Sequence, residues 1–360
     1  MTFVHKNIKK AKTITSDFYY SKKILERLKE NLFTKSWQFV NHITAIEKDG
    51  DCIPFQFMDE YIPEPLLLTN HKEQIRSLTN VCTHRGNILI KKSCNIKNGI
   101  ICNYHGRRFN QCGIFKSMPK CKEVEGFPSE KDNLTSLPIK IWKQFVFTSI
   151  DPKISFTELI KDMDKRIGWM PIEKFVFSEE KSKEYIVNAN WALYCDNYLE
   201  GFHIPFVHQS LRENLNYDEY NTELFKYSNL QIGIGKNTES CFKLPKNSID
   251  YGKNIVAYYF WLFPNIMFNF YPWGLSINIV LPINTEKTKI KFLSYIWDES
   301  KLDSGAGSEL DKVEKEDEEI VENVQRGVKS RFYDRGHFSP TMEKGVHHFH
   351  LLLSDFMRMR

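Results

Sequence analysis

The sequence predicts an α+β chain in which a small all-β unit is inserted into a larger domain of sheet and helix. Two textures carry that reading. From about 38 to 150, short apolar alternations are broken by turn residues, as in "NGIICNYHGRRFNQCGIF", the pattern of brief strands joined by tight loops. From 226 to 297 the apolar runs are long, and "IVAYYFWLFPNIMFNFYPWGLSINIVLPI" at 255–283 is interrupted by Pro264, Asn265, Asn269, Pro272 and Asn278. Buried strands with turns fit that run better than a membrane span. Helical spacing towards both ends of the chain supplies the rest.

In chain order, residues 16–40 ("SDFYYSKKILERLKENLFTKSWQFV") place Ile24, Leu25, Leu28 and Leu32 at helical spacing and then turn into an aromatic strand. A Pro- and Lys-rich run lies near 151–180, followed by a helix-like segment at 191–211. A polar Gly/Ser-containing loop at 298–308 leads to a helix with an acidic start at 309–332, and "MEKGVHHFHLLLSDFMRM" reads as a final amphipathic helix. The expected division is a helical segment at 1–37 packing on the larger domain, the β unit at 38–150, and the larger domain proper at 151–360.

Composition narrows the function. With 41% hydrophobic and 26% charged residues, the 360-residue chain reads as soluble and globular. Its net charge of +5 is spread among acidic residues, which argues against a nucleic-acid footprint. The opening "MTFVHKNIKKAKTITSDFYY" lacks an apolar h-region, so the expected compartment is the cytoplasm, with no membrane association. The eight cysteines are therefore read as metal ligands or free thiols rather than a disulfide framework.

Four residues stand out first: Cys82 and His84 in "CTHRG", then Cys102 and His105 in "CNYHG". Two thiolates and two imidazoles on paired loops suit either tetrahedral zinc or a two-iron cluster. Zinc ribbons usually use Cys-x-x-Cys knuckles, whereas the one-residue gap between Cys82 and His84 favours ligands on different irons. In a Rieske [2Fe–2S] centre two cysteines hold one iron and two histidines the other, which raises the potential of a cluster that accepts and passes on an electron. Cys94, Cys112 and Cys121 lie off this spacing and are read as ordinary buried or free thiols.

A second group lies in "NWALYCDNYLEGFHIPFVH". His203 and His208 would sit about 140° apart on an ideal helix, too far to share a metal. Pro205 would break a helical hydrogen bond between them, and the distorted turn would let both rings meet. Two histidines and a carboxylate form the non-haem iron pattern. On a helical wheel of the 309–332 segment, Leu310, Val313, Ile320, Val321, Val324 and Val328 form an apolar stripe, and Asp317 alone among the acids falls near its middle. A lone carboxylate on a buried face is costly unless paired or metal-bound.

Together these motifs resemble those of the Rieske non-haem iron oxygenases, alpha-subunit type. "CTHRG…CNYHGRRF" is similar to their cluster signature, with Arg107 where a Trp is usual, a change on the surface where an electron donor would dock. "CDNYLEGFHIPFVH" and "EDEEIVENVQRGVKSRFYDRGHFSPTMEKGVHHFH" resemble the choline, carnitine and glycine betaine monooxygenase group. The resemblance implies a Rieske [2Fe–2S] domain inserted in a helix-grip (START-like) antiparallel-sheet catalytic domain. It implies Cys82, His84, Cys102 and His105 on the cluster, and His203, His208 and Asp317 on a mononuclear Fe(II). Glu200 and Asn197 are the candidate catalytic residues, Glu200 linking His203 to a cluster histidine, His105, of a neighbouring subunit. His347, His348 and His350 are assigned to packing or hydrogen bonding.

The implied reaction is reductive O₂ activation and monooxygenation of a quaternary ammonium compound, with a ring-hydroxylating aromatic dioxygenase as the rival. NAD(P)H would serve indirectly, through a separate flavin/iron–sulfur reductase, and the cross-subunit link implies a homotrimer. An aromatic cage would hold the cationic head by cation–π contact, drawn from Tyr194, Phe202, Phe206, Phe268, Phe270, Tyr271 and Trp273. Other classes remain on this reading: an electron carrier without catalytic iron, or a zinc-ribbon binding module.

Overall fold

The computed structural model describes residues 3–121, 123–208, 220–236, 241–302 and 310–358. The chain divides into two compact units, Thr34–Lys153 and the remainder, Met1–Phe33 with Ile154–Arg360. It is α+β, with antiparallel sheets in both units.

The inserted unit starts and ends side by side. Its first strand, Gln38–His42, pairs antiparallel with its last, Phe145–Thr148, so that Gln38 stands opposite Thr148. Between them a five-stranded sheet is built around Asp51–Met58, Ile62–His71 and Gln74–Thr79. Leu66, Leu67 and Leu68 are all buried, so the central strand is covered on both faces. A three-stranded sheet, Ile100–Ile101, Arg108–Phe109 and Phe115–Ser117, completes the unit. One apolar cluster joins these sheets, and the backs of Cys82 and Cys102 belong to it. Cys94 stands exposed opposite the buried Cys52 on the neighbouring strand, while Cys112 and Cys121 are half-buried free thiols.

The larger unit rests on a seven-stranded sheet in which every neighbour is antiparallel. Across the sheet run Val176–Val187, Lys287–Ile296, Gly274–Asn284, Ile266–Tyr271, Ile255–Leu262, Ser228–Ile234 and Asn221–Leu224. Helix α1 (Lys22–Leu28) buries Leu25 and Leu28, and a π turn then buries Leu32 and Phe33, whose ring meets Trp191 at 5.0 Å. Helix α2 (Phe156–Ile167) lies in the Pro- and Lys-rich run, where the sequence predicts no element. Ser155 caps it, and Leu159, Ile160, Met163 and Ile167 form its buried stripe, a period that the lysines and acids between them obscure. The strand Val176–Val187 also begins in that run. It is an edge strand, exposed along most of its length, so it shows no apolar alternation.

The predicted helix at 191–211 is two helices, α3 (Trp191–Tyr198) and α4 (Ile204–Val207), and residues 209–211 lie outside the described residues. Helix α5 (Leu310–Gly327) ends before the predicted 332; residues 303–309, including the end of the predicted loop, and the Leu310 side chain lie outside the description. Helix α6 (Lys344–Arg358) lays Phe349 against Trp191 and Trp261 at 5.7 and 5.2 Å, fixing α3 and the sheet to one core. Among the described residues no helix is long and apolar enough to cross a membrane.

Candidate active site

Two loops of the inserted unit repeat one turn. Gly86 N–H donates to Cys82 O at 3.0 Å and Gly106 N–H to Cys102 O at 2.9 Å, with glycine φ values of 70° and 71°. A side chain strains at such angles, and glycine closes both loops without that cost. The turns bring the buried Cys82 and Cys102 thiols into hydrogen-bond contact and set the His84 and His105 rings 4.8 Å apart. Asn87 Nδ2 donates to Cys102 Sγ at 3.6 Å. Burial and the positive charges of His105, Arg85 and Arg107 hold the proton affinity of His84 below the ordinary value, favouring the neutral imidazole that metals bind. The donors thus fall into a sulfur pair and a nitrogen pair.

Arg107 is buried within the inserted unit. It is 3% exposed, its guanidinium is 2.5 Å from Asp132 Oδ1, and it packs over the rings of Phe115 and Phe127 at 4.7 and 5.3 Å. The sequence places this residue on the cluster's outer surface, whereas the structure gives its flat guanidinium an interior packing role.

In the larger unit the chain around Glu200 is shaped by three residues. Asn190 caps α3, its side chain accepting Ala192 N–H at 3.0 Å. The helix stops at Tyr198, and Gly201 permits the Tyr220 ring to approach where a Cβ would lie 2.5 Å from it. Pro205 then opens α4, where its missing N–H is harmless; the break comes upstream of the proline rather than at it. Glu200 stabilises the break by accepting the N–H groups of Phe202 and of His203, the latter at 3.1 Å.

Helix α5 closes the site, anchored where Asn188 N–H and Asn190 N–H donate to Glu322 Oε1 and Gln325 Oε1 at 2.9 and 2.8 Å. Its buried face differs from the predicted stripe. Ile320 and Val324 are exposed, whereas Glu314, Val321, Gln325 and Val328 are buried. Asp317 belongs to both registers, so the rotation leaves it facing in.

Among the described residues, the one group of three or more His, Cys, Asp or Glu ligand atoms within 4.8 Å of one another is His203, His208 and Asp317. Asp317 Oδ1 lies 3.4 Å from His203 Nε2 and 3.0 Å from His208 Nε2, and it accepts from Asn197 Nδ2 at 3.1 Å. Each ring is held from behind by a carboxylate: His203 Nδ1 is 2.7 Å from Glu200 Oε1, and His208 Nδ1 is 2.7 Å from Glu316 Oε2. This outer support turns both Nε2 atoms towards one point, the arrangement that fits a facial iron site. Burial opposes a charge on His203, but the hydrogen bonds with Asp317 and Glu200 outweigh it and raise its pKa to about 9. Burial pushes Asp317 upward as well, and the two histidines reverse that, holding its carboxyl below the usual range.

The triad opens into a cavity of about 130 Å³, below the ~300–1,000 Å³ of drug-sized pockets, so its occupant is small. Five tyrosines line it: Tyr194, Tyr198, Tyr220, Tyr259 and Tyr271. Asn269, Ser276 and Asn278 add polar groups from the sheet, and Tyr198 O–H donates to Asn269 Oδ1 at 2.7 Å. Of the aromatic residues expected in a cage, Tyr194 and Tyr271 are lining residues. Phe268 and Phe270 are fully buried off the cavity, because strand alternation gives the cavity face to Asn269 and Tyr271. Trp273 stacks beneath Tyr271 at 5.2 Å, and Phe202 and Phe206 are 43% and 79% exposed. The sequence held a signal for the residues missed here: polar side chains at every second position, Asn269 with Tyr271 and Ser276 with Asn278, inside otherwise apolar strands. Glu314, also lining the cavity, carried none beyond its place one turn before Asp317.

Residues 176–359 match the family model for the ring hydroxylating alpha subunit (catalytic domain), and residues 36–128 match that for the Rieske [2Fe-2S] domain. The chain is 28% identical to the chloroplastic choline monooxygenase of Arabidopsis thaliana, over 98% of this chain and 84% of that protein. It is 29% identical to the carnitine monooxygenase oxygenase subunit of Escherichia coli, over 98% and 96% of the two chains. A solved structure of a quaternary ammonium Rieske monooxygenase superposes with a TM-score of 0.79 at 25% identity, covering 99% of this chain and 100% of that one.

Proposed function

The chain belongs to the ring-hydroxylating alpha-subunit family of Rieske oxygenases, in the choline and carnitine monooxygenase group, and from that premise we propose that it monooxygenates a small quaternary ammonium compound. It is an oxidoreductase with a Rieske [2Fe–2S] cluster and a mononuclear iron. In the proposed assignment Cys82 and Cys102 hold one cluster iron and His84 and His105 the other. The side-by-side placing of Cys82 with Cys102 and of His84 with His105 supports that division over a single tetrahedral zinc. His203, His208 and Asp317 hold the mononuclear iron. When bound, the two centres supply the one-electron chemistry that dioxygen reduction needs.

The protein's own share is orientation. Glu200 and Glu316 hold the Nδ1 sides of the histidines, and Asn197 fixes the Asp317 carboxylate by donating to it. Tyrosine faces line the space beside them, the surface on which a trimethylammonium group rests. Glu200, against His203, is proposed to pass electrons from a cluster histidine of a neighbouring copy, which makes the working unit a homotrimeric ring. A separate NAD(P)H-dependent flavin/iron–sulfur reductase, in the cytoplasm, feeds it.

The observation that carries this reading is a converging His–His–Asp set inside a small, tyrosine-lined cavity. The test is a panel of choline, carnitine and glycine betaine with a surrogate reductase and NAD(P)H, following formaldehyde and aldehyde products. Turnover of at least one supports the reading. Turnover of aromatic acids and none of the three overturns it.

A further inference from the structure

We propose that Glu314, held by Tyr194, is the counter-charge for the substrate's cationic head, and that the cavity selects a quaternary ammonium compound whose other end is uncharged. The inference rests on the quaternary-ammonium reading above and narrows it to a residue and a substrate class.

Glu314 sits one helical turn before Asp317 on α5, 7% exposed, and lines the same cavity. The two carboxylates are served differently. Asp317 has Asn197 and both histidines around it. On Glu314 the one donor among the described residues is Tyr194 O–H, shared between Oε1 and Oε2 at 2.9 and 2.8 Å. A carboxylate offers about four lone-pair sites, so most of its accepting capacity is unused. No Lys or Arg is among the described lining residues. A buried charge in that position is costly, and burial, with Asp317 nearby, pushes the Glu314 pKa well above the usual carboxylate range. A cation entering the cavity answers the missing charge.

A quaternary ammonium group suits the site better than a primary amine. It has no N–H to place, so it leaves the Tyr194 bond intact while its methyl groups rest on the tyrosine faces. The far end of the substrate meets Asn269, Ser276 and Asn278, which carry no charge. A hydroxyl finds partners there, whereas a carboxylate would add a further anion beside Glu200, Glu314 and Asp317 and meet no Lys or Arg among the described lining residues. The choline type is therefore favoured over betaines.

The test is equilibrium binding to the iron- and cluster-loaded enzyme, wild type and Glu314→Gln, using choline, its neutral carbon isostere 3,3-dimethylbutan-1-ol, glycine betaine and carnitine. Gln keeps an acceptor for Tyr194 and removes only the charge. The expected result is choline binding weakened about tenfold or more by the substitution, the neutral isostere unchanged, and glycine betaine weaker than choline in the wild type. Unchanged choline binding in Glu314→Gln, an equal loss for choline and its isostere, or betaine binding tighter than choline each overturns the inference while leaving the quaternary-ammonium reading standing. Failure of choline, carnitine and glycine betaine all to bind the wild type sinks both.

Discussion

The two candidate metal sites of this chain are built by opposite means. In the inserted unit the four donors sit on two loops that use the same glycine-closed turn, so the site is written in two short stretches of sequence. In the larger unit one donor lies more than a hundred residues from the other two, and the docking of α5 on α3 and on the residues just before it brings them together. A loop site depends on local backbone. An assembled site depends on the whole domain and on the side chains behind its ligands.

Substitutions can break this contrast at its strongest point first. Cys102→Ser is expected to abolish turnover and bleach the red-brown colour while the larger unit still takes up iron, because each site is held by its own unit; loss of both sites together would show that they are not independent. Next come the supports behind the histidines. Glu316→Gln and Glu200→Gln should each weaken iron binding or turnover ~10–100-fold, the usual effect of removing a ligand's outer partner. Of the two, Glu200→Gln should also slow electron arrival in single-turnover kinetics, and Glu316→Gln should not.

The proton balance gives a third, smaller effect. Burial disfavours charge on His203, yet Asp317 and Glu200 raise its pKa to about 9 in the metal-free protein. A raised pKa stabilises the metal-free fold fully below the unfolded value of about 6.5, and that contribution fades as pH rises through about 9. Iron competes for the same nitrogen, so uptake should strengthen between pH 7 and 9 by up to ~tenfold per pH unit. A flat titration would contradict the assignment of His203. Smallest is the difference between the two glycines. Ala at either costs about 1–2 kcal/mol for its positive φ, and at Gly106 its Cβ would also press Pro119 Cγ at 3.3 Å, whereas Gly86 has open space. Gly106→Ala should therefore melt earlier than Gly86→Ala.

What could be read from sequence follows the same divide. The cysteine–histidine loops are legible because their donors and glycines are adjacent in the chain. The α+β division is legible from the change of strand texture. The sequence predicts the break between α3 and α4 at Pro205, but it lies upstream, where Glu200 caps two nearby backbone N–H groups and the Tyr220 ring packs on Gly201, a contact between residues distant in the chain that the proline does not signal. The α5 stripe was rotated for a related reason. Burial there follows polar partners, Tyr194 for Glu314 and Asn190 for Gln325, which a wheel scored on apolar residues does not see. The cage residues split along strand alternation: register decides which aromatic faces the cavity, and register is set by pairing across the sheet.

Iron and acid-labile sulfide per chain, measured in the wild type and in Asp317→Ala, test the central claim most directly. Two separate sites predict about three iron and two sulfide in the wild type, falling to about two iron with sulfide unchanged in the variant. A variant that keeps all of its iron, or loses its sulfide with it, would contradict the account.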